Sequence, residues 1–440
     1  MQFTPDSVAI PHSTGIKIII VGLGIAGLTA AVECHRKGHT VIAFERSEDL
    51  RALGDSIAIG SNATRILQKW DNGKVMQHLS NVSDRVSAME IHDSTGEFHA
   101  LNPLNGFGVD GGMIMNRGEL VMGLYRHAKA LGVDMRFSRK VTNYWEDDAQ
   151  AGVILGNGDR VSADCVIGSD GVYSRAREAM LGDQPSGHPS GFAVYRAFLK
   201  TENLMQDPSL SWIFEGVGEK DRIRIYIGDM TYLTLSTGKQ GENVMWHMWH
   251  RDNQEATESW TDDASVENAL KLIDSWPMKD RLAPLMRQTP TSNVTDFQLR
   301  IRDPLPTWIS GGGRMMVLGD AAHPVLPVIG QGGGQGIEDA GVLAAALELA
   351  GKSQVRLGLQ VVQKIRHQRA SAIQEKSCQL QTMFDKPDWD AVKQDPSDVQ
   401  LPPLEWIHGH DAQRYTYDEF AAVVKCLEEG VAYTPTNIPE

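Results

Sequence analysis

The sequence predicts an α/β protein in which one nucleotide-binding βαβ unit is interleaved with a β-rich segment and followed by a helical end. Three observations predict it. Ile16 to Arg46 reads as strand, glycine turn, helix, strand and acid. Segments of strand period crowd between Gly191 and Arg251. From about Gly336 onward the pattern is helical.

The first stretch, IKIIIVGLGIAGLTAAVECHRKGHTVIAFER, has an apolar run ending on Gly22. Gly22, Gly24 and Gly27 then form G-x-G-x-x-G, a helix-forming run covers Leu28 to Lys37, and Thr40 to Phe44 leads into Glu45 and Arg46. That is a Rossmann-type unit for a dinucleotide. Gly22 turns the chain tightly off the strand, Gly24 lets a pyrophosphate approach the backbone, and Gly27 lets the helix lie close on the sheet. The helix N-terminus meets the phosphate charge. Glu45 ends the second strand, where a carboxylate accepts both ribose hydroxyls of an adenosine, and Arg46 beside it is taken with the cofactor-binding residues. The motif alone does not choose between FAD and NAD.

Beyond Arg46, a loop leads to a helix expected over Ala63 to Trp70, with Ser61 or Asn62 as its N-cap. Val75 to Leu104 has mixed, strand-like patterning and is expected to leave the first domain. Met113 to Leu124 reads as a short strand, Arg117 and a helix. Strands are expected at Val133 to Phe137, Val153 to Leu155 and Val161 to Ile167, with a turn at Asn157-Gly158. DCVIGSDGVYSRAR ends a strand on Gly168, Asp170 and Gly171.

In RIRIYIG, Ile223, Ile225 and Ile227 alternate with Arg222, Arg224 and Tyr226. Most of Trp212, Phe214, Tyr226, Tyr232, Trp246 and Trp249 are expected to pack a sheet, the rest to line an aromatic substrate site. Ser265 to Leu285 is expected to be helical. A strand at Arg314 to Leu318 runs into GDAAHP, a Pro- and Gly-rich turn, and a helix over about Gly336 to Ala350. Helices follow over about Val355 to Thr382 and from Asp418. The division expected is a flexible extension (1–15), a discontinuous cofactor domain (16–75, 105–185 and 290–352), a substrate sheet (76–104 and 186–289) and a helical C-terminal region (353–440).

Composition narrows the function. At 440 residues the chain buries a large core and carries two domains. A net charge of −14 argues against nucleic acid and against an anionic membrane surface. Cys34, Cys165, Cys378 and Cys426 are scattered, so buried free thiols in a reducing compartment are expected, with no metal. His247 and His250 fall in the strand-like VMWHMWHR, on opposite faces. Met1 to Gly15 has no Lys or Arg, and three glycines interrupt the apolar run after it, so neither a signal peptide nor a membrane span is expected. The expected location is cytoplasmic.

G-x-G-x-x-G at Gly22, GSDGVYSRAR at Gly168 and GDAAHP at Gly319 make a set. It resembles the class A FAD-dependent monooxygenases of the para-hydroxybenzoate hydroxylase fold, over about Ile16 to Ala350. The resemblance implies non-covalent FAD, reduction by NADPH or NADH, and transfer of an oxygen atom from O2. It also implies roles. Asp320 would accept the ribityl hydroxyls, and Asp170 and Gly171 would serve FAD and nicotinamide binding. Arg117 would open a helix near the cofactor. Gly330, Gly332 and Gly333 would bring bare N–H groups to the flavin N1–C2=O edge. GDP-dissociation-inhibitor proteins share part of this fold but have no use for GDAAHP, and a plain NAD dehydrogenase has none either.

The whole chain, including SNATRILQKW, SWIFEGV and IHGHDAQRYTYDEF, is similar to fungal flavin monooxygenases of indole-alkaloid pathways. The similarity is strongest to spiro-oxindole-forming enzymes of the paraherquamide, notoamide and citrinadin type. These epoxidise an indole 2,3 bond, and a semipinacol shift follows. Salicylate-type hydroxylases are the alternative. The resemblance makes Arg196, in GFAVYRAF, an active-site arginine, and Asp55, in LGDSI, a carboxylate bordering the flavin. An arginine is a poor literal acid, so Arg196 is expected to stabilise an alkoxide, and Asp55 to hold a cationic amine or the indole N–H.

Overall fold

A computed structural model describes residues 13–50, 56–107, 111–182, 187–202, 204–252 and 264–439. The chain begins with β1 (Lys17–Val21), α1 (Ile25–Arg36), β2 (Thr40–Phe44), β3 (Ser56–Ile59), α2 (Ser61–Leu67) and α3 (Lys74–Asn81). Next come β4 (Ala88–Asp93), β5 (Phe98–Pro103), β6 (Met113–Asn116), α4 (Arg117–Ala130), β7 (Asp134–Arg136), β8 (Val141–Glu146), β9 (Ala151–Leu155), β10 (Arg160–Ala163), β11 (Cys165–Gly168) and α5 (Arg175–Leu181). They are followed by β12 (His188–Lys200), β13 (Ile223–Ile227), β14 (Tyr232–Gly238), β15 (Asn243–Arg251), α6 (Val266–Lys271), α7 (Lys279–Arg287), β16 (Val294–Ile301) and β17 (Met315–Val317). The chain ends in α8 (Gly332–Ala350), α9 (Val355–Leu380), α10 (Trp389–Gln394), α11 (Glu405–His408) and α12 (Ala412–Glu429).

A parallel sheet in the order β17–β11–β1–β2–β7 carries the N-terminal motif. Ile18, Ile19 and Ile20 are all buried, as an unbroken β-branched run in a strand covered on both faces requires. α8 is the helix on which α1, α2, α9 and α12 pack. Its small residues permit that approach: a Cβ on Gly336 would lie 2.8 Å from the Cβ of Ala26, and one on Gly341 would lie 2.7 Å from Cδ1 of Ile66. Among the described residues no helix is long and apolar enough to cross a membrane. All four cysteines are free, with Cys34 and Cys165 buried.

The second sheet has seven strands in the order β16–β12–β15–β14–β13–β4–β5. One face carries Tyr195, Ala197, Leu199, Trp246 and Met248 and buries them with Leu270, Leu282 and Met286 from the α6–α7 segment. The other carries Phe192 and Val194, which pack with Leu299 and Leu326. Tyr232 and Trp249 also lie on that second face, stacked at 5.4 Å. The aromatic set is therefore divided, with Trp212, Tyr226 and Trp246 in the first cluster.

Several expectations are corrected. β16, which falls in the expected cofactor segment 290–352, pairs with β12 and so belongs to the seven-stranded sheet. The helix expected at Ala63–Trp70 starts at Ser61 with Gly60 as N-cap, which leaves Ser61 and Asn62 inside its first turn. Val75 to Leu104 opens on a helix, because Val75, Met76 and Leu79 recur at helical spacing and are buried. Ser265–Leu285 is split into α6 and α7, with Pro277, which has no N–H to give, in the break. Arg224 is buried, because the turn at Pro208–Phe214 covers it and the Ile213 carbonyl accepts from its guanidinium at 3.0 Å. α8 begins at Gly332 rather than Gly336. α12 begins six residues before Asp418, where Asp411 caps it by accepting from Arg414 N at 3.1 Å. The sequence shows no metal-ligand cluster, yet the β4–β5 hairpin gathers Asp93, Glu97 and His99. Asp93 is already committed there, accepting from the N–H groups of Thr95 and Glu97 and meeting His99 at 2.9 Å.

Two buried carboxylates hold the turn after β14. Asp84 accepts from Lys239 N, and Asp221 accepts from Gln240 N and Gly241 N, all at 3.1 Å. Lys239 and Gln240 sit at φ of 50° and 58°, a conformation that these bonds help to hold. Burial, and then the charge of Asp221, push the Asp84 carboxyl up to about 7. A raised carboxyl pKa means that the folded chain keeps a proton the unfolded chain releases near pH ~4. Stability from this group therefore falls as pH rises from ~4 to about 7. Asp84→Asn keeps the acceptor and loses the charge. It is expected to raise the urea midpoint at pH 8 and to leave it nearly unchanged at pH ~4.5. A shift of equal size at both pH values would show that ionisation of Asp84 does not matter.

Candidate active site

The glycine turn has the shape its residues dictate. Gly22 sits at φ 95°, and a Cβ there would lie 2.7 Å from the Ser169 carbonyl. On Gly27 it would lie 1.9 Å from the Gly22 carbonyl, so no larger residue fits. Gly24 behaves differently, because its Cβ position faces open space. Gly24 is also the N-cap of α1 and makes no side-chain cap, so the first N–H groups of the helix have no side-chain acceptor from that residue. Glu45 borders this opening. Its carboxylate accepts from Leu23 N at 3.0 Å and Ser47 N at 2.9 Å, while Arg46 is exposed.

The second motif packs directly on the first. Ser169 Oγ donates to the carbonyls of Val21 and Gly22 at 3.0 and 2.9 Å. Asp170 accepts from Ser174 Oγ and from Arg175 N and Ala176 N, so its carboxylate fastens the loop to the start of α5. Gly171 lies beside it at φ 83° with open space around it. Arg177 donates to Val172 O at 2.8 Å and Ala321 O at 3.1 Å, which ties the second motif to the third.

The third motif rests on a buried ionic network. Asp339 accepts from Gly319 N at 2.9 Å and Arg366 Nε at 2.8 Å, and His323 Nε2 lies 2.6 Å from it. Arg366 and Arg369 also pair with Glu338. These four charged residues of α8 and α9 are fully buried; against the cost of burial, Arg369 and Arg366 hold the Glu338 carboxyl below the usual carboxylate range, and His323 and then Arg366 do the same for Asp339. Asp320 follows Gly319. It is exposed to solvent yet closely surrounded by protein. That desolvation raises its pKa, opposed by His323, Arg117 and Arg302. The fold thus brings Arg117, the first residue of α4, into electrostatic reach of Asp320.

α8 completes the arrangement. Gly330 turns at φ 61°, the Cβ position of Gly332 faces open space, and Gly333 packs against Ile57 and Ile59 of β3. Its N-cap, Gln331, makes no side-chain cap. Ile25, at the start of α1, lies 3.5 Å from the Cβ position of Gly333, so two helix N-termini without side-chain caps come close together. Pyrophosphate charge and the electron-rich edge of a flavin are matched by such donors. These residues fit FAD.

Arg196 and His247 are direct partners on neighbouring strands of the seven-stranded sheet. Alternation along β12 places Arg196 on the face of Val194, and alternation along β15 places His247 on the face of Trp249. Leu326 and Val328, from the turn that leads into α8, pack on that same face. His250 looks the other way, 3.1 Å from Asp296. Asp55 lies outside the described residues.

Ser169, Arg177, His323, Asp339 and Arg366 were not legible as site residues. The first three stand inside the two recognised motifs, and attention to buried polar groups within a motif would have found them. Asp339 and Arg366 carry no such signal, because a charge on an apolar helix reads as a break in pattern until its partner is seen.

Asp320→Ala removes an exposed carboxylate and no core group. It is expected to weaken flavin retention by about tenfold or more, on the order of one charged hydrogen bond, with the circular dichroism of the wild type. Full flavin occupancy in the variant would show that Asp320 is not a cofactor ligand.

A family model described as FAD binding domain matches residues 15–377. The FAD-dependent monooxygenase nanF of Aspergillus nanangensis is 48% identical over 441 residues, covering 100% of this chain and 96% of that protein. The asperlicin C monooxygenase of Petromyces alliaceus is 43% identical, covering 100% and 95%. The crystal structure of CtdE in complex with FAD and substrate 4 superposes with a TM-score of 0.89 at 39% identity, covering 94% of this chain and all of that one.

Proposed function

The chain belongs to the FAD-binding-domain family and is a FAD-dependent monooxygenase, and on that premise we propose that it epoxidises the indole 2,3 bond of an alkaloid, with rearrangement to a spiro-oxindole. The single observation that carries the reading is kinship along the full length. Chains aligned end to end with this one include the notoamide E oxidase of Aspergillus versicolor and the CtdE structure with its substrate.

Bound FAD supplies hydride acceptance from NADPH or NADH and activation of O2. The remaining work falls to this chain's residues. Gly22, Gly24 and Gly27 receive the pyrophosphate at the start of α1, with Glu45 and Arg46 toward the adenosine. Asp320 holds the ribityl chain, and Arg117 offsets its charge. Asp170 and Gly171 shape the neighbouring loop. Gly330, Gly332 and Gly333 would present N–H groups to the N1–C2=O edge of the ring, where helix N-terminal donors suit negative charge. The sheet face of Val194, Arg196 and Trp249 receives the substrate, and Asp55 is the carboxylate assigned to its amine or indole N–H.

The test is to incubate the holoenzyme with NADPH, O2 and a panel of 2,3-disubstituted indole alkaloids and simple phenolic acids. The expected product is an indole alkaloid with one added oxygen and an oxindole carbonyl. Turnover confined to phenolic acids would overturn the reading in favour of a salicylate-type hydroxylase.

A further inference from the structure

We propose that His247 is the proton-carrying residue of the rearrangement, working beside Arg196. The inference rests on the indole-epoxide reading above. It starts from a chemical gap: a guanidinium stays charged at every pH the enzyme meets, so Arg196 can hold an oxygen but cannot hand over a proton and take it back. Opening an epoxide toward an oxindole needs both. Histidine is the residue type that does both near neutral pH.

The fold puts such a residue where the chemistry needs it. Arg196 on β12 and His247 on β15 are register partners, with side chains on the same face of the sheet. Directly opposed residues in an antiparallel pair have Cβ atoms about 4.5–5.5 Å apart, so one substrate oxygen can meet both side chains. On its other side His247 is paired with Thr234 of β14, and Arg196 with Thr295 of β16. The row across the sheet is thus hydroxyl, guanidinium, imidazole, hydroxyl. Both charged-type members are half-buried, whereas the next row holds Phe297, Val194, Trp249 and Tyr232. A polar row beside an aromatic one suits a flat indole that carries oxygen at one edge.

The step balances. The imidazolium of His247 gives its proton to the epoxide oxygen as the C3–O bond breaks, and Arg196 hydrogen-bonds the same oxygen. The substituent on C2 migrates to C3 with its electron pair. The C2–O bond becomes the oxindole carbonyl, and the hydroxyl proton returns to His247. No electrons enter or leave, and histidine ends as it began. If proton delivery is slow, water opens the epoxide instead and a 2,3-diol appears.

The test compares wild-type and His247→Gln holoenzymes with NADPH, O2 and an accepted 2,3-disubstituted indole, reading the ratio of diol to spiro-oxindole. His247→Gln is expected to turn over more slowly and to raise that ratio roughly a hundredfold. A ratio equal to that of the wild type overturns the assignment and leaves the epoxidase reading standing. If the wild type itself makes no spiro-oxindole, the parent reading falls and the shuttle with it. Should His247→Gln fail to hold FAD, the wild type in deuterium oxide decides the matter. The diol share is expected to rise there, and an unchanged share overturns the proposal.

Discussion

Arg366→Met is expected to cost about 3–5 kcal/mol of stability, because it strands buried charge. Glu338 and Asp339 are fully buried, and Arg366 bonds to both. Arg369 stays beside Glu338, but among the described residues Asp339 would keep only His323 and Gly319 N. Methionine fills much of the arginine's volume, so a cavity contributes little and the loss reports charge. The double variant Arg366→Met with Asp339→Asn is expected to recover part of the loss. The two carboxyls are held below their usual range, so their contribution is complete above the unfolded carboxylate pKa of ~4 and fades as pH falls toward the lowered values. Urea unfolding of the holoprotein at pH 7.5 measures the effect. Arg366→Met within about 1 kcal/mol of the wild type would mean that the network is not under this strain. The consequence extends to the cofactor, since Asp339 is what positions Gly319, the residue before Asp320.

What could be read in advance follows from how local each signal is. The β1–α1–β2 unit was legible because turn, helix and acid are contiguous, and the structure places Glu45 against the glycine turn. The faces of β15 were legible because period two is local, so His247 and His250 separate as expected. The place of β16 was not, because its pairing with β12 bridges about a hundred residues of sequence. The network under GDAAHP was hidden for the same reason. Asp339 and Arg366 are 27 positions apart and belong to different helices. α3 was misread because eight residues offer little more than two turns of periodicity. Asp170 shows the opposite limit. A motif fixed its position, but only the structure shows its carboxylate occupied by Ser174, Arg175 and Ala176.

Arg196→Ala is expected to lower the rate of spiro-oxindole formation by a factor of about 100 to 1,000, equivalent to about 2.7–4 kcal/mol, as loss of one preorganised donor to a developing alkoxide does. Arg196 lies on the sheet face that also receives Leu326 and Val328 from the turn before α8, the helix whose N-terminus is proposed to meet the flavin. It is not among the residues assigned to FAD, and the variant is expected to stay yellow. Without the guanidinium the substrate oxygen is less firmly held, reducing equivalents are diverted, and hydrogen peroxide is expected to rise per NADPH consumed. Arg196→Lys keeps the charge but loses the planar fork, so it should recover only part of the rate. His247→Gln would differ in kind, changing which product forms, whereas Arg196→Ala changes chiefly how much forms. Stopped-flow flavin reduction, peroxide yield and product mass separate these effects. Wild-type product yield from Arg196→Ala would remove the arginine from the reaction and leave the sheet face as a binding surface alone.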